Sequence, residues 1–122
     1  MATEDRLQVR RLEGHACLVE ISGEHDLSTA PMLAEQFESL FEGESLVIAD
    51  ITQTSFLDSH VIRVFANAAQ RAAKDPSLRF ALVVDVEQSN TRRILNVLQP
   101  LTGDIATYPS IDAALKAQAD AQ

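Results

Sequence analysis

The chain has 122 residues, 46% of them hydrophobic and 23% charged, and a formal net charge of −8. This composition suits one globular domain that can bury a core without disulfides or metals. The acidity argues against a nucleic-acid partner, whose phosphates need a basic footprint. No apolar run approaches the length of a membrane span, so no direct membrane contact is expected.

Leu7–Leu12 and Ala16–Ile21 read as two short strands joined at Glu13-Gly14-His15, a hairpin. Cys17, the only cysteine, has no partner for an intramolecular disulfide and reads as a small buried residue in a reducing compartment. The acidic Met1-Ala2-Thr3-Glu4-Asp5 has no apolar run behind it, so no signal peptide and a cytoplasmic location are expected. Ser28 or Thr29 can cap the next helix, with Pro31 in its first turn, where a missing N–H costs little. Leu33, Gln36-Phe37 and Leu40-Phe41 give that helix one apolar face, and Gly43 ends it. Leu46–Ala49 is apolar without alternation, as in a strand covered on both faces. The strand ends at Asp50.

A second helix is expected from Ser59 to Lys74, stopping before Asp75-Pro76, with Ile62, Phe65, Ala69 and Ala72 turned inward. Phe80–Val84 is another continuous apolar strand. Ser89 can cap a third helix bearing Ile94, Leu95 and Leu98, which Pro100 should terminate. Gly103 leads into a weak strand, Ile105–Tyr108. Ser110 then caps a last helix with Ile111, Ala114 and Leu115 on one face. The order β-β-α-β-α-β-α-β-α implies one small α/β domain over residues 1–122. Its mostly parallel, mixed sheet should have about five strands, with about four helices.

Asp58-Ser59 stands at the start of the second helix. Asp and Ser are common N-caps, so the pair can be read as a cap alone. Ile62 occupies the position where a capping box would place Glu or Gln. The other reading is chemical. A serine at a helix start lies beside unpaired backbone N–H groups and the positive end of the helix dipole. A phosphate added there would change the local charge sharply.

Other chemistry is not signalled. Four glycines cannot build a dinucleotide or Walker loop. His15, His25, His60 and Cys17 are too scattered for a structural metal site. Asp58-Ser59-His60 has the residue types of a hydrolase triad, but a triad is assembled from separated segments. Neither a cofactor nor catalysis is expected. Arg92-Arg93 reads as a solvated pair or, alternatively, as a contact to a partner's carboxylate. His25 is expected in an exposed loop, where it would be bland or would line a partner surface beside Ser59.

Gly23-Glu24-His25-Asp26 ahead of a helix resembles the Gly-Glu-Leu-Asp signature of STAS domains, the anti-sigma-factor antagonist family. Leu46–Asp50 followed by Phe56-Leu57-Asp58-Ser59 resembles that family's strand, loop and phosphorylatable Asp-Ser motif. Leu98, Thr102-Gly103, Tyr108 and Asp112-Ala113-Ala114-Leu115 are similar to its closing segment. The resemblance implies a protein-interaction module whose partner is an anti-sigma factor that is also a serine kinase. Phosphorylation at Ser59 would prevent capture, and a serine phosphatase would restore it. By the same resemblance Ser59 is the phospho-acceptor, Asp58 the preceding Asp and Asp26 the acidic residue of the first loop, and with His25 and His60 beside them they would form the partner edge.

Three residues depart from the pattern, and one of them is His25, which replaces the usual apolar residue of the first signature. His60 and Val61 stand where the family has a small hydroxyl residue and then Gly, which lets another backbone approach closely. That departure sustains a second reading, a STAS adaptor without the switch inside a larger signalling or transporter complex. A third reading, a small enzyme or nucleotide-binding domain, would need a pocket of convergent polar groups.

Overall fold

Continuous apolar strands need cover on both faces, and the computed structural model, which describes residues 7–85, 87, 89–102 and 105–120, supplies it. The elements are β1 (Leu7–Leu12), β2 (Ala16–His25), α1 (Ala30–Gly43), β3 (Leu46–Leu57), α2 (Ser59–Ala73), β4 (Arg79–Val83), α3 (Ser89–Thr102), β5 (Thr107–Tyr108) and α4 (Ile111–Asp120). The strands lie in the order β1-β2-β3-β4-β5. β1 pairs antiparallel with β2, and every later pair is parallel. The predicted mixed α/β sheet is therefore the observed one. Gly14 and His15 turn the hairpin with φ of 78° and 60°, the left-handed region that Gly enters freely.

Alternation along the strands divides the core in two. Cys17, Val19 and Ile21 of β2, Val47, Ala49 and Ile51 of β3, and Phe80 and Leu82 of β4 face α1, α2 and α3. Ala16, Leu18, Leu46, Ile48, Ala81 and Val83 face the other way, toward Ala114 of α4. On the first side Phe37 meets Phe65 and Phe80 edge-on, with ring centroids 6.0 and 5.6 Å apart, an arrangement aromatic quadrupoles favour. α2 is enclosed along most of its length. Val61, Ile62, Val64, Phe65, Ala66, Ala68 and Ala72 are all buried.

Several boundaries differ from those read in the sequence. β2 runs on to His25 and β3 to Leu57, past the polar residues that had marked their ends. The two strands stay paired through register shifts between Glu20 and Ser22 and between Gly23 and Glu24, with Gly23 at φ 78°. Bulges of this kind absorb an extra residue while pairing continues. α3 continues through Pro100 to Thr102; the missing N–H removes one helical bond, but only in the last turn. Thr29 occupies the N-cap position of α1 but makes no side-chain cap bond. Ser110 does cap α4, its Oγ accepting from the Ala113 amide at 3.0 Å. The side chain of Ser89, Gly103 and the opening residues Met1–Asp5 lie outside the described residues.

Candidate functional site

The parallel pairing of β2 and β3 ends on the register pair His25 with Leu57. The Asp58 amide then donates to the His25 carbonyl at 3.0 Å. Both strands thus release the chain at one level, and the loops after them share one edge of the sheet. Asp26, Leu27 and Ser28 are exposed on one loop, and Ser59 and His60 on the other.

Asp58 is the N-cap of α2, with extended backbone at φ −71° and ψ 156°. Its Oδ1 accepts from the His60 amide at 2.7 Å and lies 2.7 Å from the His60 ring Nδ1. The Val61 and Ile62 amides both donate to the Asp58 carbonyl at 3.0 Å. The amide of His60, followed by its ring, holds the Asp58 carboxyl below its ordinary 3.8. Slight desolvation and the negative charge of Asp26 oppose that shift, the usual effect of a like charge nearby. The structure therefore assigns the cap to the aspartate. Ser59 is the first residue of α2 and is exposed, and its hydroxyl is not spent on the cap.

Asp26 shapes the neighbouring loop. Its Oδ1 accepts from the Ser28 amide at 2.9 Å and from the Ser28 hydroxyl at 2.5 Å, a turn that Asp favours for this reason. His25 is a correction to the sequence reading, which expected it in an exposed loop. It is the last residue of β2 and is only 1% exposed. Its Nε2 lies 2.9 Å from the Ser22 carbonyl and so carries the hydrogen, and its Nδ1 lies 3.2 Å from Thr29 Oγ1. Thr29 Oγ1 also accepts from the Asp26 amide at 3.2 Å. The imidazole thus sits beneath the edge, bridging β2 to the loop above, and it positions Asp26 without joining the exposed surface. Val61 is a second correction. Its side chain is fully buried in the core, so it presents no bulk to an approaching chain. The exposed His60 alone does that.

The sequence reading missed three residues at this edge. Leu27 is 60% exposed and Phe56 is 45% exposed. The Arg93 guanidinium, reaching across from α3, donates to the Leu57 carbonyl and lies 5.5 Å over the Phe56 ring. The signal for Phe56 was its place beside buried Leu57 on an alternating strand, which turns it outward. In the sequence Arg93 reads as half of a basic pair, solvated or facing a partner's carboxylate, with no local signal of its reach to Leu57. Among the described residues, no group of three or more His, Cys, Asp or Glu is placed to hold a metal ion. No helix of those residues is long and apolar enough to cross a membrane.

A family model described as the STAS domain matches residues 6–114. No curated protein matches significantly. An anti-sigma factor antagonist from Mycobacterium paratuberculosis superposes with a TM-score of 0.76 at 26% identity, covering 91% of each chain. The Bacillus cell fate determinant SpoIIAA in its phosphorylated form gives a TM-score of 0.67 at 15% identity over 92% of this chain and 98% of that one. SLC26A9 gives 0.69 at 17% identity over 88% of this chain but only 20% of its own.

Proposed function

As the chain belongs to the STAS domain family, we propose that it is a cytoplasmic anti-sigma-factor antagonist, a protein-interaction module that captures an anti-sigma factor and is switched by phosphorylation at Ser59. The observation that carries the reading is the exposed Ser59, whose hydroxyl is not used as the cap of α2. It follows Asp58, whose carboxyl feels the negative charge of Asp26 at the same sheet edge. A kinase partner would transfer the γ-phosphoryl group of a nucleoside triphosphate to Ser59 Oγ. The bond to the diphosphate breaks as the new P–O bond forms, and the hydroxyl proton leaves to a base on the kinase. The added charge of roughly −1.5 to −2 would then face Asp58 and Asp26. Repulsion and desolvation would break a contact without refolding the domain.

Leu27 and Phe56, both exposed here, offer the apolar centre that such a contact needs. The likeness to an anti-sigma factor antagonist at 26% identity, and to a Bacillus protein solved in phosphorylated form, supports the same reading.

The test is affinity purification from the source cell with wild type, Ser59→Ala and Ser59→Glu as baits, together with phosphopeptide mass spectrometry. Wild type and Ser59→Ala should retain one partner that Ser59→Glu loses, and a fraction of wild-type Ser59 should carry phosphate. Ser59 unmodified in every growth condition, with Ser59→Glu still binding, would sink the switch. The second reading, an adaptor segment without a switch, would then stand. Two observations favour it: the fold also occurs as one fifth of the SLC26A9 chain, and His60 covers the ground beside Ser59.

A further inference from the structure

α2 leaves one narrow stripe of its surface open, and Ser59, Arg63, Asn67 and Gln70 follow one another along it. Residues four apart on a helix are neighbours, with Cβ atoms about 5–6 Å apart. Long helical side chains also lean back toward the N-terminus, over the preceding turn. Ser59 therefore lies within reach of Arg63 when that side chain takes the common helical direction.

A phosphate on Ser59 would find most of the donors of the next turn already taken. The His60 amide is held by the Asp58 carboxylate, and the Val61 and Ile62 amides by the Asp58 carbonyl. The His60 ring is paired with Asp58. Arg93, reaching in from α3, is held on the Leu57 carbonyl and over the Phe56 ring. Among the described residues no ion pair engages Arg63, and its side chain is exposed.

Resting on the reading of Ser59 as a phospho-acceptor, we propose that Arg63 is the residue that receives the phosphate. Its planar guanidinium can meet two phosphate oxygens at once, and it does so without breaking a bond that the unmodified protein makes. The pairing holds the phosphate over the first turn of α2, still beside the Asp58 and Asp26 carboxylates, and offsets part of their repulsion. A partner then meets an ordered, partly neutralised group fixed over the first turn of α2, and it is excluded by shape as well as by charge.

The test uses the full chain with phosphoserine installed at position 59 by genetic-code expansion, so that no natural kinase is needed. Phosphorus NMR follows the second ionisation of the phosphate, ordinarily near about pH 6, in the otherwise wild-type protein and in Arg63→Gln, Arg63→Lys and Arg93→Gln. The charges that face the phosphate are Asp58 and His60 beside it, Asp26 across the edge, Arg63 below and Arg93 from α3. A nearby cation favours the dianion and lowers the titration midpoint. Arg63→Gln should therefore raise the midpoint by about one unit. Arg63→Lys should keep most of the lowering, and Arg93→Gln, whose guanidinium is held on the Leu57 carbonyl, should move the midpoint far less than Arg63→Gln. Far-UV circular dichroism at each pH verifies the fold. Coincident titrations of wild type and Arg63→Gln overturn the proposal, and so does a shift that appears in Arg93→Gln instead. Absence of phosphate from Ser59 in the cell would defeat the switch reading and leave this measurement untouched.

Discussion

His60 and Val61 follow Ser59 and fill two positions where the family pattern differs, yet their replacement should have opposite consequences. Val61 is fully buried among α2's core contacts. Val61→Gly removes three buried carbon atoms, worth about 0.8 kcal/mol each, or roughly 2–3 kcal/mol in all. Glycine's poorer helix propensity adds about half a kcal/mol. The expected loss is thus about 3 kcal/mol, larger if the cavity cannot collapse. Set against a typical domain stability of about 5–15 kcal/mol, this leaves a folded but weakened protein. His60→Ser, on an exposed residue, should fall within about 0.5 kcal/mol of wild type.

Urea unfolding gives the comparison. With no tryptophan and a single tyrosine, far-UV circular dichroism is the suitable probe, and an unchanged m-value would show that the denatured state is unaltered. Partner capture is then measured where both variants are folded. His60→Ser should alter it, and Val61→Gly should not. A Val61→Gly cost under about 1 kcal/mol would refute the burial argument, as would a capture defect in the folded Val61→Gly protein larger than that of His60→Ser.

Asp26→Asn keeps the oxygen that accepts from Ser28 and removes the charge, so capture should weaken while the melting temperature holds; equal damage to both would make Asp26 a structural turn residue. His25→Leu leaves the Ser22 carbonyl and the Thr29 hydroxyl without the ring and should cost roughly 1–3 kcal/mol, and an unchanged urea midpoint would contradict that bridge. The folded Asp58 carboxyl titrates below its ordinary 3.8. Its stabilising contribution is therefore complete above that value and is lost as pH falls through the lower folded one. Asp58→Asn should flatten the acid limb of stability against pH in that window. Asp75, also lowered by its bonds to Ser77, should leave a residual slope, and an acid limb identical to wild type would show that Asp58 is not linked to folding.

The hydrophobic rhythm was enough to find every element and the sheet class, because buried strands and one-faced helices have distinct periods. It failed where pairing is long-range. Asp50-Ile51-Thr52-Gln53 looks like the end of a strand, since the Asp50 carboxylate takes the Thr52 amide and hydroxyl. Only the neighbouring β2, bulged to match, carries β3 on to Leu57. His25 was misplaced for the same reason: a strand thought to end at Ile21 leaves a histidine four residues on in a loop, whereas the extended strand turns it inward. Ser59 and Asp58 were legible because a cap is a local device. Arg93 was not, as it reaches the edge from a helix more than thirty residues away in the chain (the Leu57 contact spans 36 positions).

The sheet order follows the order of the chain, β1 to β5, without a break. Each strand can therefore dock on one already present as the polypeptide leaves the ribosome, and none has to wait for, or be threaded between, later strands. Pairings that close in the order of synthesis leave fewer strand edges waiting for a partner, and such open edges are what make folding intermediates prone to misassembly.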